Sequence, residues 1–476
     1  MLVCLICALN AASHGLAIGF NAQGAIKYSA PNATTYFTEA LDENQISWFM
    51  SLLQVPNCTL CILSGFITNL IGRKKAMIIA QILYLSGWIC TYFAPSFSVL
   101  LVARCLIGGG IGIQFASTNM YLSEISLIRF RGSLSIMTTV NMNLFVAVSL
   151  ACAATLSFDN LMIVSALPSC AFLVLAIFIP ESPIWYAQKG LFEDARKSLE
   201  WLRGGEYDFK EELEEMERIL ASKQSWKESL AELRQRQFCF PIIMMITFMM
   251  IQVSAFSFNS VQLLHDFSGF QPFSGIIMLS VYILDIFKRA EITYNHYILS
   301  ICTTSATTSG YVISTYLTKK LPRKVQFIIA GVSMATNLCM GGIILKCIET
   351  NEDEGLAYIY NIALPVCVIL SGLSYGLGIG AVPFALLGEV LPQRVKAVAS
   401  AFILTSRQFS IFLNLKFYLP FSSYFGLYWT FWTYSSTIIA SCVLAFIVMP
   451  DTRGKTLTEL STLFEKAPKE NKTTRF

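Results

Sequence analysis

Charged side chains make up only 13% of the 476 residues, about half their usual share in a soluble domain. Together with 55% hydrophobic residues and a mean hydropathy of +0.58, that shortage excludes a soluble enzyme, a DNA-binding module and a secreted scaffold. The net charge of +4 is small and no long basic run interrupts the apolar segments, so no nucleic-acid partner is expected. Histidine occurs only three times, at His14, His265 and His296. There is no phosphate-cradling loop, no HExxH helix and no cluster of metal ligands, so neither enzyme activity nor a metal or cofactor is expected. The fourteen cysteines sit singly in apolar runs, as Cys90, Cys152, Cys170 and Cys442 do, and read as small core residues. A signal peptide also lacks its marks: the apolar run begins at Met1, with no basic n-region and no small-residue cleavage site near residue 25. The expectation is a first transmembrane helix, with the cytoplasmic tail that would precede it missing from this sequence.

What the chain has is apolar length. A bilayer core of roughly 30 Å needs about 20 apolar residues per helix, and such runs fall at 2–24, 46–70, 76–94, 98–122, 133–157, 160–179, 239–264, 297–318, 325–347, 357–387, 396–419 and 424–449. Twelve spans make this an all-α polytopic membrane protein embedded in a lipid bilayer. The stretch 265–296 is nearly apolar again from Phe267 to Phe287, and reads either as a broken continuation of the seventh span or as an interfacial segment. Of the 64 charged residues, 23 crowd into Glu181–Gln237 and another 10 into Asp451–Phe476.

Lysine and arginine in short loops set the orientation. With the charged central segment on the cytoplasmic side, that side also receives Arg73, Lys74, Lys75, Arg129, Arg131, Lys319, Lys320, Arg323, Lys324, Arg394 and Lys396; the other receives Lys27, Lys288, Arg289 and nearby Lys346. Both termini are therefore expected in the cytoplasm of a multi-pass plasma-membrane protein. The outer loops are acidic and include the sequon Asn32-Ala33-Thr34, a candidate glycosylation site, whereas Asn57-Cys58-Thr59 falls inside a span. The loops NLIGRKK (Asn69–Lys75) and KKLPRK (Lys319–Lys324) occupy matching places in the two halves, a parallel internal repeat. The expected organisation is a six-helix bundle at 1–180, a cytoplasmic helical linker at 181–238, a second six-helix bundle at 239–450 and a cytoplasmic tail at 451–476.

Seven pieces carry a resemblance to a known family: QISW (Gln45–Trp48), GFITNLIGRKK (Gly65–Lys75), RCLIGGGIG (Arg104–Gly112), YLSEI with RFRG (Tyr121–Gly132), PESPIWYAQKG (Pro180–Gly190), GIGAVPFALLGEVLP (Gly378–Pro392) and PDTRGKTLTEL (Pro450–Leu460). Over nearly its whole length the chain resembles the sugar porters of the major facilitator superfamily, in particular insect facilitated trehalose and hexose transporters. The resemblance implies two six-helix bundles that rock about a midplane cavity, carrying a small sugar by alternating access. It also implies that cytoplasmic charges, here Arg73, Glu124, Arg131, Glu181, Arg323, Glu389 and Lys396, form a salt-bridge network between the bundles that closes that side. Asn69 stands where the family has an aspartate and cannot supply its charge.

The sugar-binding pattern departs further. Sugars are held by side chains that both donate and accept hydrogen bonds, with an aromatic face for the ring. The family's span-7 motif has two candidate registers, one using Gln252 and the other running from His265 to Gln271. Thr139 takes the span-5 glutamine position, Gly376 the span-10 glutamate, Phe384 the span-10 tryptophan, and Arg407-Gln408 the span-11 Asn-Trp pair, with Asn414 extending the polar path. A glucose carrier with an unaltered site is not expected. Arg407 either faces the cavity or snorkels to the cytoplasmic boundary. Family symporters carry an acid in span 1 and this chain has none, which favours facilitated diffusion. Proton symport, carriage of another small organic solute and a transport-inactive nutrient sensor stay open, as does oligomeric state.

Overall fold

The computed structural model describes residues 2–125, 131–203, 246, 276–350, 357–390 and 396–449, with no strand among them. The first half comprises α1 (Leu2–Tyr28), α2 (Glu43–Ser51), α3 (Gln54–Ile71), α4 (Arg73–Tyr92), α5 (Phe97–Ile125), α6 (Arg131–Thr155) and α7 (Phe158–Leu175), which ends in a 3₁₀ turn, Ala176–Phe178. The short helices α8 (Pro183–Gln188) and α9 (Phe192–Arg203) open the central segment. The second half comprises α10 (Ile276–Arg289), α11 (His296–Lys320), α12 (Arg323–Thr350), α13 (Ala357–Ser374), a π turn at Tyr375–Ile379, α14 (Val382–Val390), α15 (Lys396–Phe425) and α16 (Leu427–Val448). With α2 and α3 as one crossing and α13 through α14 as another, these are the helices of a twelve-helix, two-bundle fold, with α10 in seventh place among the described ones; the expected span 239–264 lies, but for residue 246, outside the described residues.

The break in the second crossing has a local cause: Pro56 has no N–H for the Leu52 carbonyl four residues back, and Val55 N donates to that carbonyl instead at 3.0 Å. Asp42 and Gln45 form a reciprocal capping box, Asp42 Oδ1 accepting from Gln45 N at 2.6 Å and Gln45 Oε1 from Asp42 N at 3.0 Å, so α2 starts as a helix of its own. Leu52 and Leu53 then join it to α3. The joint presses on α5, where a Cβ at Gly108 would lie 2.1 Å from the Leu53 carbonyl oxygen. The RCLIGGGIG glycines therefore serve close helix packing.

Burial runs inside out relative to a soluble protein. Seven described helical stretches are long and apolar enough to cross a bilayer by length and composition. Helices α1, α4, α11 and α15 carry polar groups that the fold turns inward: Asn10, Ser13, Asn21 and Gln23, Gln81, Thr303, Thr307 and Ser314, and Gln408 and Asn414 are all buried. Large apolar side chains such as Phe66, Ile177, Phe446 and Ile447 point outward, as a lipid-facing surface requires. Cys170, expected in the core, is exposed on α7 instead, because only one face of that helix meets its neighbours.

The two halves meet along α6 and α11, along α2 and α3 against α15, and along α1 against α10. The last contact settles the part of 265–296 that is described. In α10, Leu279, Val281–Leu284, Ile286 and Phe287 are buried among α1, α11 and α15, so this helix lies inside the protein and not along the membrane surface. Residues 247–275 lie outside the described set.

Candidate functional site

Two arginines stand within long helices of the fold, Arg104 as the eighth residue of α5 and Arg407 as the twelfth of α15, and each shows how the fold holds a cation. Arg104 on α5 is completely buried; its Nη1 donates to Asn21 Oδ1 of α1 at 2.7 Å, and its guanidinium lies 3.7 Å from the Phe49 ring centroid and 5.1 Å from that of Phe20. An amide and two aromatic faces hold this charge, and no carboxylate among the described residues pairs with it. Below it, Asn10 and Ser13 of α1, Gln81 and Tyr84 of α4, Gln114 and Thr118 of α5 and Ser169 of α7 form one buried hydrogen-bonded network, including Ser13–Gln81 at 3.0 Å and Tyr84–Gln114 at 2.6 Å. Its polar atoms satisfy one another inside the first half.

Arg407 on α15 sits where the two halves face each other. Its Nη1 donates to Gln408 Oε1 at 3.2 Å, and its guanidinium lies 5.5 Å from the Phe384 ring of α14. His14 of α1 and Cys61 of α3, from the first half, and Tyr311 of α11 are within its electrostatic reach. Gln408 and Asn414 are buried on the same helix, and Thr139 is half-buried on α6, which packs against α11. The structure thus brings Phe384, Arg407 and Gln408 together, with His14 of the first half within reach of the cation. Gln252, His265 and Gln271 lie outside the described residues.

Gly376 shows why the family's span-10 glutamate is not accommodated in this packing. The π turn brings it against α11 so closely that a Cβ would lie 2.3 Å from the Thr307 carbonyl oxygen and 2.9 Å from Tyr311 N.

The basic-loop end of the first half is organised by the PESP motif. Glu181 places its carboxylate at the start of α4, accepting from Arg73 N at 2.9 Å, Lys74 N at 3.0 Å and Ser182 N at 2.9 Å. Ser182 donates to Glu124 and caps α8, with Pro183 as that helix's first residue. Arg73 pairs with Glu124 at 2.6 Å, the two side chains being 1% and 11% exposed. Gly72 bridges α3 and α4 at φ +102°, and a Cβ there would lie 2.3 Å from Glu181 Oε2. Among the expected gate residues, Arg73, Glu124 and Glu181 therefore converge, all within the first half and the start of the linker.

The internal repeat is reproduced in detail. Arg73 Nη1 donates to the Thr68 carbonyl at 3.3 Å and Arg323 Nη1 to the Thr318 carbonyl, so in each half an arginine reaches the last turn of the helix before it. The side chains of Arg131, Glu389 and Lys396 lie outside the described residues, although their backbones belong to α6, α14 and α15. At the other end Lys416, which sequence reasoning passed over, links the halves: its Nζ donates to Asn44 Oδ1 at 2.9 Å and lies 4.2 Å from the Trp48 ring, while its carbonyl accepts from Ser47. Its signal was a lysine near the end of an apolar run. Asn32 is exposed in the loop between α1 and α2, and Asn57 is buried in α3.

Comparison with known proteins follows the same outline. Residues 3–464 match the family model described as sugar (and other) transporter. The facilitated trehalose transporter Tret1 of Apis mellifera ligustica is 26% identical over 469 residues, covering 97% of this chain and 88% of the relative. The sugar transporter ERD6-like 6 of Arabidopsis thaliana is 27% identical over 478 residues, covering 97% and 90%. Among solved structures, the inward-open xylose transporter XylE from E. coli superposes with a TM-score of 0.76 at 16% identity, covering 97% of this chain and 99% of that one. The structural likeness shows the fold, and the family match over nearly the whole length gives the assignment: this chain belongs to the sugar (and other) transporter family, as a multi-pass membrane protein.

Proposed function

We propose that this chain carries a small carbohydrate, trehalose or a hexose among the candidates, down its gradient by alternating access and without proton coupling. The observation that carries the last clause is the Arg104–Asn21 contact. The buried cation of α5 is held by a neutral amide, so no carboxylate of α1 is there to bind and release a proton during the cycle. The relatives named for facilitated trehalose transport support the substrate class.

The bundles 1–180 and 239–450 rock about the region of Arg407, with 181–238 as a cytoplasmic latch and 451–476 as a tail. With the basic loops in the cytoplasm, as the lysine and arginine distribution favours, the Lys416–Asn44 contacts join the halves on the outer side. The Arg73, Glu124 and Glu181 cluster is then the first half's share of a cytoplasmic gate, which Arg131, Arg323, Glu389 and Lys396 would complete. Thr139, Phe384, Gln408, Asn414 and, from the region outside the description, Gln252, His265 or Gln271 contact the solute. The protein resides in the plasma membrane with both termini inside, and Asn32, exposed on the outer side, bears the glycan. The functional test is uptake of labelled glucose, trehalose and fructose in oocytes or in yeast lacking its own hexose carriers. Uptake of at least one is expected, insensitive to external acidification; uptake that vanishes when the proton gradient is removed would refute the uncoupled mechanism.

A further inference from the structure

Relative to the family pattern, the centre of this protein has lost an acid and gained a base. The span-10 glutamate position is Gly376, where the packing against α11 leaves no room for a Cβ. The span-11 position expected to hold an asparagine is Arg407, the twelfth of the thirty residues of α15 and so about 17 Å along its axis.

A guanidinium at that depth is costly unless it meets water or an opposite charge. None of the ion pairs among the described residues includes Arg407. Its hydrogen bond goes to the neutral Gln408 amide, its guanidinium carbon lies 5.5 Å from the Phe384 ring centroid, and its Nε is buried with no hydrogen-bond partner among the described residues. Among the described residues, His14, Cys61 and Tyr311 lie within its electrostatic reach, and none of the three is a carboxylic acid. A guanidinium placed near an aromatic face keeps its N–H edge available, and that edge matches a carboxylate with two parallel hydrogen bonds. Groups from both halves surround the spot, as a carried solute requires.

We propose that the carbohydrates this chain favours are sugar acids, uronates or aldonates, whose carboxylate is bound by Arg407 with the Gln408 amide beside it. This inference rests on the reading of the chain as a carbohydrate carrier and specifies the solute. Neutral sugars enter the same site more weakly, since they leave the cation unpaired. Each uronate that crosses carries one negative charge, so its flux is electrogenic, whereas flux of a neutral sugar through the uncoupled carrier is not.

The test uses the full chain in proteoliposomes, with D-glucuronate, D-gluconate, D-glucose and trehalose as probes. Glucuronate is expected to compete for uptake better than glucose, and its own uptake to accelerate when a potassium diffusion potential makes the lumen positive. Arg407→Gln is expected to reduce the glucuronate-to-glucose preference by about ten- to a hundredfold, the effect of losing a hydrogen bond to a charged group, while Arg407→Lys keeps its direction. Reading the preference as a ratio within one protein removes differences in yield. Neutral-sugar uptake that glucuronate competes no better than glucose does would overturn the sugar-acid inference and leave the carrier reading standing; it is also the result expected if a carboxylate of the chain itself pairs with Arg407. Thermal stabilisation by glucuronate that Arg407→Gln abolishes, in a protein that moves no solute, would keep the ligand class and refute the carrier. Neither flux nor stabilisation by any of the four probes would overturn both.

Discussion

Replacing Glu181 with alanine removes one carboxylate from four backbone contacts, and the structure sets the size of the effect. The carboxylate accepts from Arg73 N, Lys74 N, which reaches both oxygens, and Ser182 N, all within 2.9–3.0 Å, while the residue is only 6% exposed. A hydrogen bond to a charged group contributes about 1.5–3 kcal/mol, and a partly buried anion at a helix N-terminus up to about 2 kcal/mol. These contributions overlap, and water can reach part of the vacated site, so the expected loss is about 3–5 kcal/mol. Glu181→Gln should recover less than half, because its amide NH₂ would face backbone donors. Gly72 provides an internal check. Its φ of +102° and ψ of 161° belong to a region open essentially only to glycine, where another residue costs about 1–3 kcal/mol. A Cβ there would also displace the Glu181 carboxylate. Gly72→Ala and Glu181→Ala should therefore be less than additive, since the second change removes the clash that the first creates. Thermal unfolding of the detergent-solubilised protein measures the three single variants and the Gly72→Ala/Glu181→Ala double, and fluorescence of Trp185, whose Nε1 donates to the Asn69 carbonyl at 3.1 Å, reports locally. A Glu181→Ala variant as stable as the parent, or single effects that simply add, would refute this account of the PESP motif.

Other expectations follow from contacts elsewhere. Gly376→Ala should destabilise the protein by about 1–3 kcal/mol, the range for overpacking, measured as a lower melting temperature in detergent; an unchanged melt would mean that the π turn yields easily. Lys416→Ala removes the Asn44 contact and the approach to Trp48, about 1 kcal/mol together and roughly a fivefold shift towards separation of the halves at that end. Faster labelling of a cysteine placed at Ser423, which faces Glu43 across the same end, by an outside impermeant thiol reagent would report the shift, and an unchanged rate would show that Lys416 does not hold the halves together. Asn32→Gln should abolish the glycan-dependent gel mobility of protein from eukaryotic cells, whereas Asn57→Gln should leave it intact; a retained shift would place the glycan elsewhere.

The spans and the repeat were legible because hydrophobic length and loop cations are local properties. The match between Arg73–Thr68 and Arg323–Thr318 was visible as two similar loops, since a short loop between helices fixes where its arginine can reach. Partners distant in sequence were not legible. Nothing near Arg104 announces Asn21, 83 positions away, nor does anything near Lys416 announce Asn44. Those pairings arise when α1 meets α5 and α2 meets α15. Local order was also hard to read inside the long spans: the joint at Leu52 and Leu53, just ahead of Pro56, and the π turn at Tyr375–Ile379, just ahead of Pro383, each lie within what reads as a single span. At the candidate site, departures such as Gly376 and Arg407 were visible as residues. What they do to the space and charge of the centre needed the neighbouring helices.

The central claim is downhill carriage without protons, and the most direct measurement is initial uptake of labelled carbohydrate into proteoliposomes containing the purified chain, with and without an imposed pH gradient. The account predicts saturable uptake at the same rate in both conditions, ending for an uncharged sugar at equal concentrations inside and out. Accumulation above the external concentration driven by the pH gradient would contradict it, and would require a proton-binding group that the Arg104–Asn21 contact does not provide.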